Sequence, residues 1–146
     1  HTRTLAQERG EVTPEEAMAL NLSPGARVLR LRRLRHGGDE PLAIERSVIP
    51  EFALPEGTEL AASLYETLDR FGLRPRRALQ RLRAVACDAE AARLLGVANG
   101  SACLLIERRG FLDDARVVEF TQSLYRGDAY DFVAELTSID HDHDRA

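Results

Sequence analysis

The sequence predicts an α+β fold, in which helices flank a mainly antiparallel sheet built from two pseudo-repeats. The first observation is internal similarity, because residues 12–35 resemble residues 87–110, with Arg33 matching Arg108 at an offset of 75 residues. The second is a helix-capping signal at the start of each segment. The third is a pair of strand-like stretches after each glycine turn.

Each pseudo-repeat opens with a short helix. Thr13 is suited to the N-cap, Pro14 to the first helical position, and Glu16 completes a capping box. In the second pseudo-repeat, Asp88 is the expected N-cap of a helix over residues 89–95. A Pro-Gly and an Asn-Gly dipeptide then predict a turn between each helix and the strand that follows it.

A strand pair follows each of these turns. Residues 27–35 alternate apolar and basic side chains, and residues 42–49 return as the partner strand across a glycine-containing turn. In the second pseudo-repeat, residues 102–111 and 116–125 flank a four-residue turn. The pattern therefore indicates two hairpins.

A longer helix is predicted between the pseudo-repeats. A capping box at 63–66 marks its start, and Leu64, Leu68 and Phe71 recur at the spacing of one apolar helix face. The glycine that follows is a natural helix terminator. Residues 76–86 then indicate one more strand.

Composition limits the function classes. Twenty basic residues oppose 24 acidic ones, and this net charge of -4 argues against a DNA-binding domain, which usually carries a basic excess. No apolar run approaches the ~18 residues of a membrane span and no signal-peptide pattern opens the chain, so we expect a cytoplasmic protein without membrane contact. Cys87 and Cys103 lie in apolar stretches and are expected in the core.

The sequence holds no nucleophile elbow, zinc-protease motif, P-loop or dinucleotide-binding motif. We therefore expect no catalytic residues, no cofactor and no metal. The stretch 140–144 alternates Asp and His, and a solvated terminus is the better interpretation of it than a metal site.

Charged side chains interrupt stretches that otherwise look like core. Arg33 and Arg35 are two residues apart in a strand, so both point to one face, where two guanidinium groups suit a carboxylate or phosphate. Glu45 lies on the return strand, and Glu119 matches it in the second pseudo-repeat at an offset of 74. An alternative is that these arginines pair with the glutamates on a solvated face, and the residues alone leave this choice open.

Further polar candidates lie near the middle helix and the last strand. Ser63 stands at a predicted helix N-terminus, which favours an anion. Tyr65 and Tyr125 supply hydroxyl groups.

Three longer stretches carry a family resemblance: LNLSPGARVLRLRRLRHGGDEPLAIERSVIP, SLYETLDRFGLRP and VVEFTQSLYRGDAYDF. In this order they resemble the UTRA domain, the effector-binding domain in the HutC branch of GntR-type transcription regulators, over about residues 13–132. The resemblance implies a fold similar to that of chorismate lyase, an antiparallel sheet flanked by helices.

The resemblance also implies partners and a domain division. Such regulators bind operator DNA as homodimers through an N-terminal winged helix-turn-helix domain, which this chain does not contain, and the UTRA domain binds a small metabolite. Residues 1–12 are then the segment after the interdomain linker, 13–136 the sensing domain and 137–146 a tail. Family members usually carry a further strand before the first helix, so we expect that strand to be lost or to lie outside the sequence.

Site residues follow from the same resemblance. It implies that Arg33, Arg35 and Ser63 bind the anionic group of a sugar phosphate or small organic acid. It implies that Glu45, Glu119 and Tyr125 bind the polar body of the ligand. The SLY and GLRP motifs add Tyr65 and Arg74. The alternatives are a chorismate-lyase-like enzyme and a dimerisation module without a ligand.

Overall fold

The computed structural model describes residues 1–61 and 63–138 of the chain. Along these residues the elements follow in this order: β1 (Thr2–Glu11), α1 (Pro14–Leu20), β2 (Arg27–Gly37), β3 (Glu40–Pro50), α2 (Leu64–Arg70), β4 (Arg77–Ala86), α3 (Ala89–Leu95), β5 (Ala102–Phe111) and β6 (Val117–Arg126). Residues 140–144, for which the sequence analysis predicts a solvated terminus, lie outside the described residues.

All six strands described form one sheet in the order β1-β2-β3-β6-β5-β4, and every neighbouring pair is antiparallel. The hairpins β2-β3 and β5-β6 meet where β3 pairs with β6, with Glu45 opposite Ser123. The predicted α+β fold with a mainly antiparallel sheet is therefore confirmed. The two halves share the order helix, strand, strand, while their origin as repeats stays a prediction.

The first and third helices begin as the sequence predicts. In α1 the Thr13 hydroxyl accepts a hydrogen bond from the Glu16 amide at 3.1 Å, and the Glu16 carboxylate accepts one from the Thr13 amide at 2.9 Å. In α3 the Asp88 carboxylate accepts a hydrogen bond from the Ala91 amide at 2.8 Å. These bonds satisfy amides that the first turn of a helix leaves without intrahelical partners.

The middle helix differs from its prediction. It has seven residues, no more than its neighbours, and within the described residues the Ser63 side chain makes no capping hydrogen bond. The Thr67 hydroxyl organises this end instead, because it accepts the Ala61 amide and donates to the Ser63 carbonyl. Phe71 was wrongly placed on the apolar face: it lies at the C-cap, 48% exposed, and Leu73 packs against the core in its stead.

The strand expected to be lost is present in the chain. Residues 2–11, predicted as a segment after a linker, form the edge strand β1. β1 pairs with β2 along its length, with Thr2 opposite Arg35 and Thr4 opposite Arg33. A bulge between Thr4 and Ala6 interrupts this register.

Apolar side chains fill both sides of the sheet. On one side α2 packs Leu64 and Leu68 against Leu29 of β2 and Ile49 of β3. On the other side lie α1 and α3, and the cluster under α3 includes the buried Cys87 and Cys103 together with Leu95, which confirms the predicted place of both cysteines. A single short helix covers only part of the first side, so the side chains of Arg35 and Arg108 further along the strands stay partly exposed. No helix among the described residues is long and apolar enough to cross a membrane.

Candidate ligand-binding site

A cavity of about 410 Å³ lies between the start of α2 and the sheet. Its lining combines four arginines with hydroxyl and carboxylate groups: Thr2, Arg33, Arg35, Glu45, Ser47, Ser63, Leu64, Tyr65, Glu66, Arg74 and Arg108. A volume of this size suits a small metabolite. Other surface cavities among the described residues have similar volumes, between about 270 and 420 Å³, so the lining and not the size distinguishes this one.

Strand register places the charged groups on the cavity floor. Arg33 of β2 lies directly opposite Glu45 of β3, and its Nη2 is 3.2 Å from the Glu45 Oε2. Arg35, two residues further on the same face, has its Nη1 3.7 Å from the Glu45 Oε1.

Exposure separates these two arginines. The side chains of Arg33 and Glu45 are 8% and 12% exposed, whereas that of Arg35 is 50% exposed. The ion pairs that we considered as an alternative are thus present, but the Arg33–Glu45 pair is buried within the cavity and does not form a solvated face.

In a second arginine–glutamate pair, Arg108 lines the cavity and Glu119 lies beneath it. Glu119 of β6 is fully buried, and its two carboxylate oxygens accept bonds from Arg108 Nε at 3.3 Å and Nη2 at 3.4 Å. The Tyr65 hydroxyl donates to the same carboxylate at 3.3 Å and the Thr121 hydroxyl at 2.7 Å. Because Thr121 gives its proton to Glu119, the Ser47 hydroxyl at 2.9 Å is the donor to Thr121. A chain of hydrogen bonds therefore leads from the cavity to Glu119.

Burial and charge shift the titration of this cluster. Burial raises the pKa of Tyr65 to about 12, and the negative charge of Glu119 adds to the effect. Burial acts to lower the pKa of Arg108, but the charge of Glu119 and the hydrogen bonds to it, with smaller contributions from Tyr65 and Glu45, together raise that pKa. At neutral pH Tyr65 is thus a neutral hydrogen-bond donor and Arg108 a cation.

The guanidinium groups of two arginines lie over the ring of Tyr65. The guanidinium carbon of Arg108 lies 4.9 Å from the ring centroid and that of Arg74 lies 5.3 Å from it. Both distances are within the range of cation–π attraction. Tyr65 therefore positions the two arginines next to the cavity.

The structure brings most of the predicted site residues together. Six of the eight line the cavity, namely Arg33, Arg35, Glu45, Ser63, Tyr65 and Arg74. Glu119 lies beneath it and is connected to it by hydrogen bonds through Tyr65 and Arg108 and through Thr121 to Ser47. Tyr125 is not among the residues that line it, and its ring packs on Tyr130 with 4.6 Å between centroids.

Five lining residues were not among the predicted site residues, namely Thr2, Ser47, Leu64, Glu66 and Arg108. Arg108 occupies the position that matches Arg33 at the offset of 75 residues, so the internal similarity already pointed to it. Ser47 is two residues from Glu45 on the same strand face, a relation that the alternation of a strand supplies. Neither signal identifies a ligand contact without the neighbouring strands in place.

Comparison with known proteins gives one consistent result. The model of the UTRA domain family matches residues 1–131. The HTH-type transcriptional repressor NagR of Bacillus subtilis (strain 168) is 36% identical over 124 residues, which cover 83% of this chain and 51% of NagR. The HTH-type transcriptional repressor PhnF of Mycolicibacterium smegmatis is 30% identical over 131 residues, which cover 86% of this chain and 54% of PhnF. The chain thus spans about half the length of these relatives.

Solved structures agree with this result. The crystal structure of the effector domain of PhnF from Mycobacterium smegmatis matches with a TM-score of 0.87 at 26% identity, covering 94% of this chain and 86% of that one. The crystal structure of a GntR-family transcriptional regulator from Enterococcus faecalis V583 has the same fold, with a TM-score of 0.86 at 24% identity. The match covers 93% of this chain and 100% of that one.

The antiparallel sheet flanked by helices is the fold that this chain shares with the effector domain of PhnF. The chain belongs to the UTRA domain family and is homologous to the effector-binding domains of GntR-family transcription regulators. The resemblance stated from the sequence is confirmed.

Proposed function

We propose that the cavity binds a small anionic metabolite and that this binding is the regulatory signal of a longer protein. The observation that carries the proposal is the half-exposed Arg35 beside the buried Arg33–Glu45 pair. Glu45 lies within ion-pair distance of both guanidinium groups, so one carboxylate is shared between two positive charges. This arrangement favours a phosphate or carboxylate that accepts forked hydrogen bonds.

The remaining lining groups suit the polar body of such a ligand. The Ser63 and Ser47 hydroxyls flank the arginines, and Tyr65 and Arg74 stand on the side of α2. Glu45 and Arg108 offer an acceptor and a donor to ligand hydroxyl groups. A sugar phosphate or a small organic acid has the size and polarity that this lining accommodates.

The regulatory part of the proposal rests on the relatives. NagR and PhnF are named as HTH-type repressors, and we propose that an N-terminal winged helix-turn-helix domain precedes this chain in a cytoplasmic homodimer that binds operator DNA. The ligand would shift the population between two arrangements of the dimer. A coupling of about 1–3 kcal/mol is typical and changes operator affinity by about 5–150-fold.

Thermal unfolding tests the ligand class. Glucose 6-phosphate, citrate and gluconate are suitable first probes, and a ligand at about 100 times its dissociation constant stabilises the fold by about 2.7 kcal/mol. Arg35→Ala should abolish the shift without much loss of stability, because Arg35 is half exposed. Arg46→Ala is the matched control, since Arg46 is the neighbour of Glu45 and points to the opposite face of β3.

Four outcomes separate the alternatives. A shift that Arg35→Ala removes and Arg46→Ala preserves, with the probe recovered unchanged by NMR, supports a sensor. A shift that persists in Arg35→Ala contradicts the assignment of the arginines. Conversion of the probe would favour a lyase, and the absence of any shift across a broad set of anions would favour a dimerisation module.

A further inference from the structure

Arg108 is the cavity-facing member of the second arginine–glutamate pair. We propose that it determines specificity: it selects an effector that presents an oxygen acceptor, not an ammonium group, at the end away from the anionic group. Glu119 is then a positioning residue that acts through Arg108. This inference rests on the proposed function, because it names the chemistry that the same cavity accepts.

The Glu119 carboxylate has no capacity left for a ligand. Its oxygens accept four hydrogen bonds, two from Arg108 and one each from the hydroxyls of Tyr65 and Thr121. A carboxylate offers about four such sites. The backbone of β5 closes the remaining space, since a Cβ at Gly110 would collide with the Glu119 carboxylate. A ligand ammonium group therefore finds no acceptor site on Glu119 to which it could donate a hydrogen bond.

Arg108, unlike Glu119, can still form hydrogen bonds with a ligand. Its side chain is 33% exposed and lines the cavity. Two of its nitrogens donate hydrogen bonds to Glu119 and its guanidinium carbon lies over the Tyr65 ring, 4.9 Å from the centroid, so two residues hold the guanidinium. A guanidinium has about five N–H donors, and the donors left over are available to an acceptor in the cavity. An ammonium group in the same place would meet a like charge.

The two arginine groups approach the cavity from different strands. Arg33 and Arg35 are on β2 and Arg108 is on β5, with β3 and β6 between them. Three strand spacings separate their backbones by roughly 14 Å, and all three side chains extend over the same cavity. One six-carbon molecule can thus place an anionic group at β2 and an oxygen acceptor at Arg108.

Calorimetric titration of three probes tests this inference. Glucose 6-phosphate carries hydroxyl groups, 6-phosphogluconate carries a carboxylate, and glucosamine 6-phosphate carries an ammonium group at the end away from the phosphate. We expect the first two to bind about tenfold more tightly than the third, the effect of one charge-assisted hydrogen bond. In the double variant Arg108→Gln/Glu119→Gln this preference should fall below about threefold.

The double variant is chosen so that folding does not obscure the result. Removing Arg108 alone would leave Glu119 buried without its counter-charge, which is strongly destabilising. Two glutamines keep a neutral hydrogen-bonded pair, and thermal unfolding checks that the variant is folded. Arg81→Gln is the matched control, because Arg81 is an exposed arginine of β4 that pairs with Glu107 on the opposite face of the sheet. Arg108→Lys keeps the charge and should retain the preference.

The outcomes distinguish this inference from the proposed function. Equal or tighter binding of glucosamine 6-phosphate by the wild type overturns the role of Arg108, as does a preference that survives in the folded double variant. In either case, phosphate binding that depends on Arg35 leaves the proposed function standing. If none of the three probes binds and no other anion does, the proposed function fails and the inference fails with it.

Discussion

Two arginine–glutamate pairs define the cavity floor, and they differ in which partner faces the ligand. Both members of the Arg33–Glu45 pair are nearly buried yet line the cavity, whereas Arg108 alone lines it over a fully buried Glu119. Burying an ion pair stabilises a fold little, because the loss of hydration offsets the attraction between the charges. We therefore infer that the main role of each glutamate is to hold its arginine side chain in position for ligand binding.

Gly110 is a residue on which this positioning depends. A Cβ there would collide with the Glu119 carboxylate and lie 2.8 Å from Pro75 Cγ. Gly110→Ala should therefore lower the free energy of unfolding by about 1–3 kcal/mol, the usual range for overpacking a core, and should weaken binding of glucose 6-phosphate. Urea unfolding and calorimetry measure the two effects.

Gly37→Ala is a matched control for this prediction. Its Cβ would lie 2.8 Å from Leu42 Cδ1, the flexible end of a partly exposed side chain that can move away. Its cost should stay below about 0.5 kcal/mol, as for a surface substitution. An equal cost at both positions would show that the contact with Glu119 is unimportant.

At the residue scale the sequence could predict which side chains share a strand face, but not which of them reach the cavity. Glu119 and Tyr125 are both on the correct face of β6 by alternation. Burial then takes Glu119 below the floor, and the ring of Tyr130, from the segment after β6, covers Tyr125. Both effects depend on packing between segments that are far apart in the sequence, so the alternation of residues along one strand does not predict them.

Among the elements, helices with local caps were predictable and an exposed edge strand was not. The caps of α1 and α3 involve residues three positions apart, so the chain itself contains the whole interaction. At α2 the hydroxyl of Thr67 organises the helix start across a loop, which a capping-box pattern does not reveal. β1 has few apolar residues, and its pairing with β2 makes it a strand.

The start of α1 gives a prediction about acid stability. Arg30 Nε and Nη2 each donate to Glu16 at 2.6 Å, and this bonding is the main reason why the pKa of Glu16 lies below its ordinary value of 4.5. A lowered pKa in the folded state means that the contribution to stability is present above pH 4.5 and is lost as the pH falls through the folded-state pKa.

Glu16→Gln removes the charge and keeps an amide that can complete the capping box. We expect it to lower the free energy of unfolding by about 1 kcal/mol at pH 7, as for a well-formed ion pair near the surface. The difference from wild type should shrink below pH 4.5 in urea unfolding. Glu15→Gln, an exposed change in the same turn, controls for the helix dipole. A pH-independent difference for Glu16→Gln would indicate that its charge is not the cause.

At the scale of the whole molecule, the site exists because the two faces of the sheet are covered unequally. α1 and α3 pack on one face, and the short α2 covers only part of the other. The two hairpins were evident in the sequence, but their junction at β3 and β6 joins residues far apart along the chain. The spacing of apolar residues along the chain does not predict that β3 pairs with β6. This pairing is what brings Arg33 and Arg108 to one cavity.

The same architecture predicts how binding is communicated to the rest of a longer regulator. β1 is the first element of the chain, it pairs Thr2 with Arg35 and Thr4 with Arg33, and Thr2 itself lines the cavity. A ligand that immobilises the two arginines should therefore also stabilise this end of β1, where we propose that the DNA-binding domain is attached. Hydrogen–deuterium exchange with saturating glucose 6-phosphate should show slower exchange over residues 2–4.

The far end of the opposite edge strand, residues 84–86 of β4, provides the internal control, since these residues pair with residues 102–104 of β5 and lie away from Gln80, the strand partner of Arg108. Opening of an edge strand is a local event, so exchange at each edge reports the contacts of that edge. Protection confined to β1 would mean that ligand binding reaches the attachment point through the β1–β2 pairing. Equal protection of both edges would mean that the ligand stabilises the domain as a whole. Ligand binding would then have to be communicated to the DNA-binding domain through a surface other than β1.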